Sequence, residues 1–262
     1  MAYAENQSMF LDSLVGDASW RAKYAKDLNG KSIPFAIIEE GIKATHPFAV
    51  FQLRAMLSVS YFEKSLYELP ESEVTAEKIQ SLANQIETKI QGGLSPRPLL
   101  SVPHLVSDEA SCYYQGYTLA EMSVHQTREY FKDTYGYIVD NPNVGPAITS
   151  AYWVHGNSRP FLDLVKDLTG KELSGYAWID ALKESSADKI TREKKEYDEM
   201  IEKMKAGEDD SSSDIDLKME VRFVDGDELI AASSDGGLLK ACSEFEKFVA
   251  GRVAAAAEKE KA

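Results

Sequence analysis

The sequence predicts a mainly α protein, a helical lobe followed by a small αβ appendage, on three observations. Apolar residues recur at steps of three and four in several separate stretches. Capping residues, Gly and Pro stand where those stretches begin and end. Strict alternation of apolar and polar residues is confined to residues 217–224.

Helix formers dominate residues 8–28, and Asn29-Gly30 supplies a left-handed stop, so the first element is expected to be a helix. A second helical stretch follows Pro34 and runs toward Pro47. Beyond it Phe48, Phe51, Ala55, Val59, Phe62 and Leu66 fall at helical spacing, which predicts one buried stripe ending near Leu69-Pro70. Thr75 is the expected N-cap of a helix whose apolar face is Ile79, Leu82, Ile86 and Ile90, broken at Gly92-Gly93. A loop with Pro96, Pro98 and Pro103 comes next. Long helices are expected over 109–134 and 176–205, with shorter ones over 144–154 and 160–168. Residues 207–214, GEDDSSSD, contain no apolar side chain and concentrate negative charge, so they are expected to form a disordered linker between residues 1–206 and residues 215–262. In the appendage, 217–224 and 228–233 flank the turn signal Gly226-Asp227 and predict a hairpin, and residues 238–262 have helical periodicity.

Charge sets limits on partners. Lys and Arg total 29 against 43 Asp and Glu, a formal net charge of -14, and such a field repels phosphate backbones and anionic lipid surfaces. Neither nucleic acid nor membrane is an expected partner. No apolar run approaches the ~20 residues that span a bilayer, and no basic n-region opens the chain. A soluble protein of the cytoplasm or an organelle matrix, without a secretion signal, is therefore expected. Cys112 and Cys242 lie far apart and form no CxxC pair, which points to two reduced thiols.

The four histidines, His46, His104, His125 and His155, open no HExxH motif, the arrangement that puts two imidazoles one helical turn apart on one metal. His46 precedes a Pro at a helix break and His155 precedes Gly156, so both read as turn residues. On a helix, Tyr114, Tyr117, Glu121, His125 and Arg128 would form one polar stripe with hydrogen-bonding tips, suited to the wall of a peptide cleft.

Three segments resemble the zinc metallopeptidases of the M3 family, the oligopeptidases related to oligoendopeptidase F and thimet oligopeptidase. YAENQSMFLDSL, from Tyr3 to Leu14, is similar to the family segment that carries the Glu zinc ligand. PHLVSDEASCYYQGYTLAEM, from Pro103 to Met122, resembles its substrate segment, a His followed by paired tyrosines. NPNVGPAITSAYWVHGNSRPFLDLVKDLTGKELS, from Asn141 to Ser174, looks like the family's ending, and the whole match covers residues 2–185. The resemblance implies a helical lobe of a zincin-like cleft that hydrolyses short peptides. It also implies zinc as cofactor, Glu5 as metal ligand, and His104, Tyr114 and Tyr117 as catalytic donors. The His-to-Tyr spacing needs about one inserted residue relative to the family pattern, so Tyr113 is a substrate-binding residue or takes the place of Tyr114.

One departure governs the functional expectation. HExxH precedes the Glu ligand in the family, and this sequence does not contain it. Glu5 alone offers one ligand where a catalytic zinc takes three from protein, so negligible zinc affinity and no activity are expected of the isolated chain. Activity would need a partner chain or segment supplying HExxH. The alternative is a noncatalytic interaction or scaffold subunit of a larger complex, derived from a peptidase.

Overall fold

The computed structural model describes residues 2–94, 98–206 and 219–259, and the chain divides into two units, Met1–Glu208 and Asp209–Ala262. The expected linker 207–214 and Pro96 lie outside the described residues. The expectation of a mainly α protein with one small two-stranded sheet holds.

In the first unit, the helix expected over 8–28 is two helices, α1 (Ala2–Val15) and α2 (Ala18–Tyr24). The chain turns at Gly16-Asp17, whose amides bond back to the Ser13 and Leu14 carbonyls at 3.2 and 3.0 Å. Asp17 then adopts the extended backbone of an N-cap, φ -73° and ψ 136°. Next come α3 (Phe35–Thr45) and α4 (Ala49–Tyr67), joined by the tight turn His46–Phe48.

The stripe on α4 is buried only in its second half. Val59 and Phe62 enter the core, but Phe48 and Phe51 are 61% and 53% exposed and stack on one another at 6.4 Å. Ala55 is exposed as well. Helical period shows that the apolar side chains share a face but not how far a neighbouring helix extends along it. The neighbour is α5 (Ala76–Ile86), which lays Ile79, Leu82 and Ile86 against the cluster of Val59, Phe62, Ala83, Leu99 and Val102. Thr75 caps α5 by accepting the Lys78 amide at 3.2 Å. Thr75→Ala is expected to lower the unit's stability by about 1 kcal/mol, measured by urea denaturation, and an unchanged midpoint would remove the cap's role. After α5 the chain widens into a π-turn, Glu87–Gln91, and stops at left-handed Gly92, φ 91°.

The long helix expected from residue 109 begins later, as α6 (Gln115–Tyr135). Cys112 prevents an earlier start. It sits at φ 54°, and its amide donates to Glu63 Oε1 of α4 at 2.9 Å, so the chain cannot be helical there. The short helix α7 (Val144–Ile148) continues into a π segment, Thr149–Trp153, and α8 (Phe161–Thr169) ends at left-handed Gly170. The charged helix expected over 176–205 is broken into α9 (Tyr176–Lys183) and α10 (Ser186–Ala206). Ser185 makes the break by accepting the Asp188 amide at 3.1 Å and donating to the Asp188 carboxylate at 2.7 Å, which starts a new helix.

Helix α6 is central to this unit and packs against α1, α4, α8 and α9. Its core partners are Phe10, Ile148, Tyr152 and Leu164, gathered around Val124 and Phe131. Helix α2 packs on α10 through Ala22 and Met200.

The second unit pairs β1 (Arg222–Asp225) with β2 (Glu228–Ala232) in an antiparallel hairpin that turns at Gly226-Asp227, with Gly226 at φ 60°. The first strand starts later than the alternation suggested, and residues 217–218 lie outside the described residues. Helix α11 (Leu238–Lys259) covers the hairpin, stacking Phe245 on Phe223 at 4.9 Å. No helix among the described residues is long and apolar enough to cross a membrane.

Candidate functional site

Side chains from segments about a hundred residues apart in sequence meet at the N-terminal end of α6. The buried Asn6 amide donates to Ser123 Oγ at 2.7 Å, and Phe10 packs edge-on against Phe131, so α1 is held against α6. That seat turns Glu5 toward the segment just before α6. Tyr113 Oη donates to Glu5 Oε1 at 2.6 Å, and Ser8 Oγ lies 3.2 Å from the other oxygen.

Tyr113 and Tyr114 occupy the turn that follows Cys112, outside the helix, while Tyr117 stands in its first turn. His104 lies in the 3₁₀ segment Pro103–Val106, with Nε2 3.2 Å from Tyr117 Oη. Its ring meets Tyr114 and Tyr117 edge-on, with centroids at 5.1 and 5.7 Å. Tyr113 and Tyr117 are 5.3 Å apart. His104 Nδ1 is buried and has no hydrogen-bond partner among the described residues.

All five residues singled out by resemblance, Glu5, His104, Tyr113, Tyr114 and Tyr117, therefore stand together. They are not equivalent. Tyr113 reaches the carboxylate, whereas Tyr114 packs with Leu105 against the α4–α5 core. The polar stripe along α6 begins at Tyr117 and continues through Glu121, His125 and Arg128, and Tyr114 is not part of the helix. His125 stacks on Trp178 at 5.8 Å and lies 3.5 Å from Glu121.

The phenols are held in their neutral form. The hydrogen bond to Glu5, then burial and the Glu5 charge, push the Tyr113 phenol up to about 12. Burial, followed by the charges of Glu5 and Tyr114, raises Tyr117. Near neutral pH both remain donors. A cluster of half-buried phenols beside an imidazole can donate to a peptide carbonyl and to negative charge developing on its oxygen.

Zinc does not fit this set alone. Both Glu5 oxygens already lie within hydrogen-bond distance of hydroxyl groups. Among the described residues no group of three His, Cys, Asp or Glu side chains converges, where a catalytic zinc takes three.

Sequence reading passed over Glu63, which is 2% exposed and positions the turn carrying the tyrosines. A signal existed, because an acid at position 63 interrupts an otherwise apolar face beside Phe62 and Leu66. The contact of His46 with Lys189, 143 residues apart, left no sequence signal. Comparison with protein-family models, curated proteins and solved structures finds no match to this chain.

Proposed function

We propose that residues 1–206 form the substrate side of a zinc oligopeptidase catalytic domain of the M3 type, acting on short peptides and inactive until a segment bearing HExxH is supplied. The observation that carries the reading is the meeting of Glu5 with His104, Tyr113 and Tyr117 in one half-buried cluster. In this reading His104 and Tyr117 donate to the peptide carbonyl, and Tyr113 orients the Glu5 carboxylate. Zinc would polarise that carbonyl in the completed site, and the additional ligands come from outside the described residues.

The test uses the chain purified from its source together with whatever copurifies. One zinc per chain and cleavage of an internally quenched peptide are expected, both lost in Glu5→Ala with the circular dichroism spectrum kept. Absence of zinc and cleavage would overturn the proposal, and cleavage that survives Glu5→Ala would remove the role given to Glu5.

A second reading, a noncatalytic interaction subunit, is favoured by the appendage. Leu239 and Val253 on α11 are 87% and 63% exposed, and Val224 and Leu229 of the hairpin are 53% and 52% exposed. Val224 and Val253 line one groove between the hairpin and α11, and apolar side chains left together in water suit a protein surface better than a self-packed cap. In this reading a copurifying chain is lost on Val253→Asp while the helical unit stays folded; retention of that chain would count against it.

A further inference from the structure

Past Tyr117, α6 lines a groove of about 740 Å³ with Glu121, His125 and Arg128, opposite the end of α9 and the start of α10. The charges in its wall are mostly answered. Arg128 reaches Asp17 at 2.5 Å and Ser13 at 2.9 Å. Arg192 grips Glu184 with two bonds of 3.0 Å and Glu193 with one of 2.9 Å. The other Glu193 oxygen accepts the Ala18 amide at 2.8 Å.

Among the half-buried cations described in this wall, Lys189 is the one without a carboxylate partner. It is half-buried in the same wall, and among the described residues no Asp or Glu oxygen forms an ion pair with it. Its polar neighbour is His46 Nδ1 at 3.5 Å. His46 Nε2 lies 2.7 Å from the Glu184 carbonyl, which can only accept, so Nε2 carries the proton and Nδ1 presents a lone pair to the lysine. A ring nitrogen's lone pair is a weaker partner for an ammonium than a carboxylate in contact with it would be. Glu184 and Glu193 cannot turn to the ammonium without abandoning Arg192 or the α2 amide. Burial is the largest influence and lowers the lysine's pKa; the Glu193 charge comes next and opposes it, followed by Arg192, which lowers, Glu184, which raises, and Arg128, which lowers. A half-buried cation in this position gains most from an anion brought by a ligand.

We propose that Lys189 receives the C-terminal carboxylate of a short peptide lying along the α6 groove, and that this contact makes the protein selective for peptides with a free C-terminus. The inference rests on the peptide reading above and names the substrate class within it. Tyr117 and Arg128 are eleven residues apart on α6, and at ~1.5 Å per residue that is about 16 Å, the length of about five extended residues. The part of α6 that lines the groove, from Glu121 to Arg128, begins one helical turn past Tyr117. Because other carboxylates line the same groove, selectivity comes from one ammonium and is expected to be about tenfold.

The test compares one labelled hexapeptide as free acid and as C-terminal amide by fluorescence anisotropy, using the full chain without metal. The acid is expected to bind about tenfold more tightly, with the preference lost in Lys189→Gln and kept in Lys189→Arg, while amide binding stays the same. Equal binding of acid and amide by the unaltered chain would overturn the inference yet leave the peptide reading standing. A preference that persists in Lys189→Gln, or displacement of the acid by inorganic phosphate at matching concentration, would also overturn it. Failure of both peptides to bind would sink the peptide reading itself.

Discussion

Phe131→Ala is expected to destabilise the helical unit by about 3–5 kcal/mol, a large share of the ~5–15 kcal/mol that holds a domain folded. The side chain is 0% exposed and contacts Phe10, Tyr130 and Tyr135 at ring separations between 5.5 and 5.9 Å. Truncation removes those contacts and leaves a cavity on the face where α1 packs, and helices with several other partners collapse into such a space poorly. The loss should be seen in the denaturation midpoint, and α1 should show the largest rise in amide exchange. Because α1 carries Glu5, the Glu5–Tyr113 bond should loosen in the same variant. A cost below about 1 kcal/mol would mean that the α1–α6 seam repacks freely and is not what aims Glu5.

The second large effect is a titration. Glu5→Gln is expected to bring the Tyr113 phenol down from about 12 toward its ordinary 10.0, because the hydrogen bond to the carboxylate is the leading cause of the shift. Tyrosine ring carbon resonances, with Tyr113 assigned through Tyr113→Phe, would follow it. The sign of the linked stability follows. A phenol whose folded pKa is raised contributes stability that is fully present below its unfolded value and is lost as pH rises through the folded value. The unaltered chain should therefore lose this contribution between about pH 10 and 12, and Glu5→Gln should show much less of that dependence. Tyr113 titrating with the exposed tyrosines in the unaltered chain would refute the bond on which the site is built.

Much of the helical order was legible because caps and breakers act locally. Thr75, Gly92 and Gly170 stop or start helices through their own hydroxyl or backbone freedom, and those boundaries can be read one residue at a time. The missed breaks, at Gly16-Asp17 and Ser185, use residues that helices also tolerate, and their effect depends on what the turn packs against. The start of α6 was harder still, since it is decided by a carboxylate on α4 that binds the Cys112 amide from 49 residues away. The exposure of Phe48 and Phe51 belongs to the same class, because burial depends on the reach of α5 and periodicity does not carry that. For the site, the residue types were visible in sequence and resemblance grouped them. Which tyrosine would reach Glu5 depended on the left-handed turn, and Lys189 and His46 become neighbours only through the packing of α10 beside α3.

The turn at Cys112 has a further consequence for how this chain can change in length. Within α6 a residue added before Glu121 would rotate everything after it by about 100°, carrying Glu121, His125 and Arg128 off the groove together. Between His104 and Cys112 no such coupling exists, since the segment is irregular and Glu63 grips the chain by a backbone amide rather than by a side chain. An insertion or deletion there is absorbed as slack before the grip, and the tyrosines keep their positions. The molecule thus separates a stretch where spacing is free to drift from one where a single residue would unmake the groove.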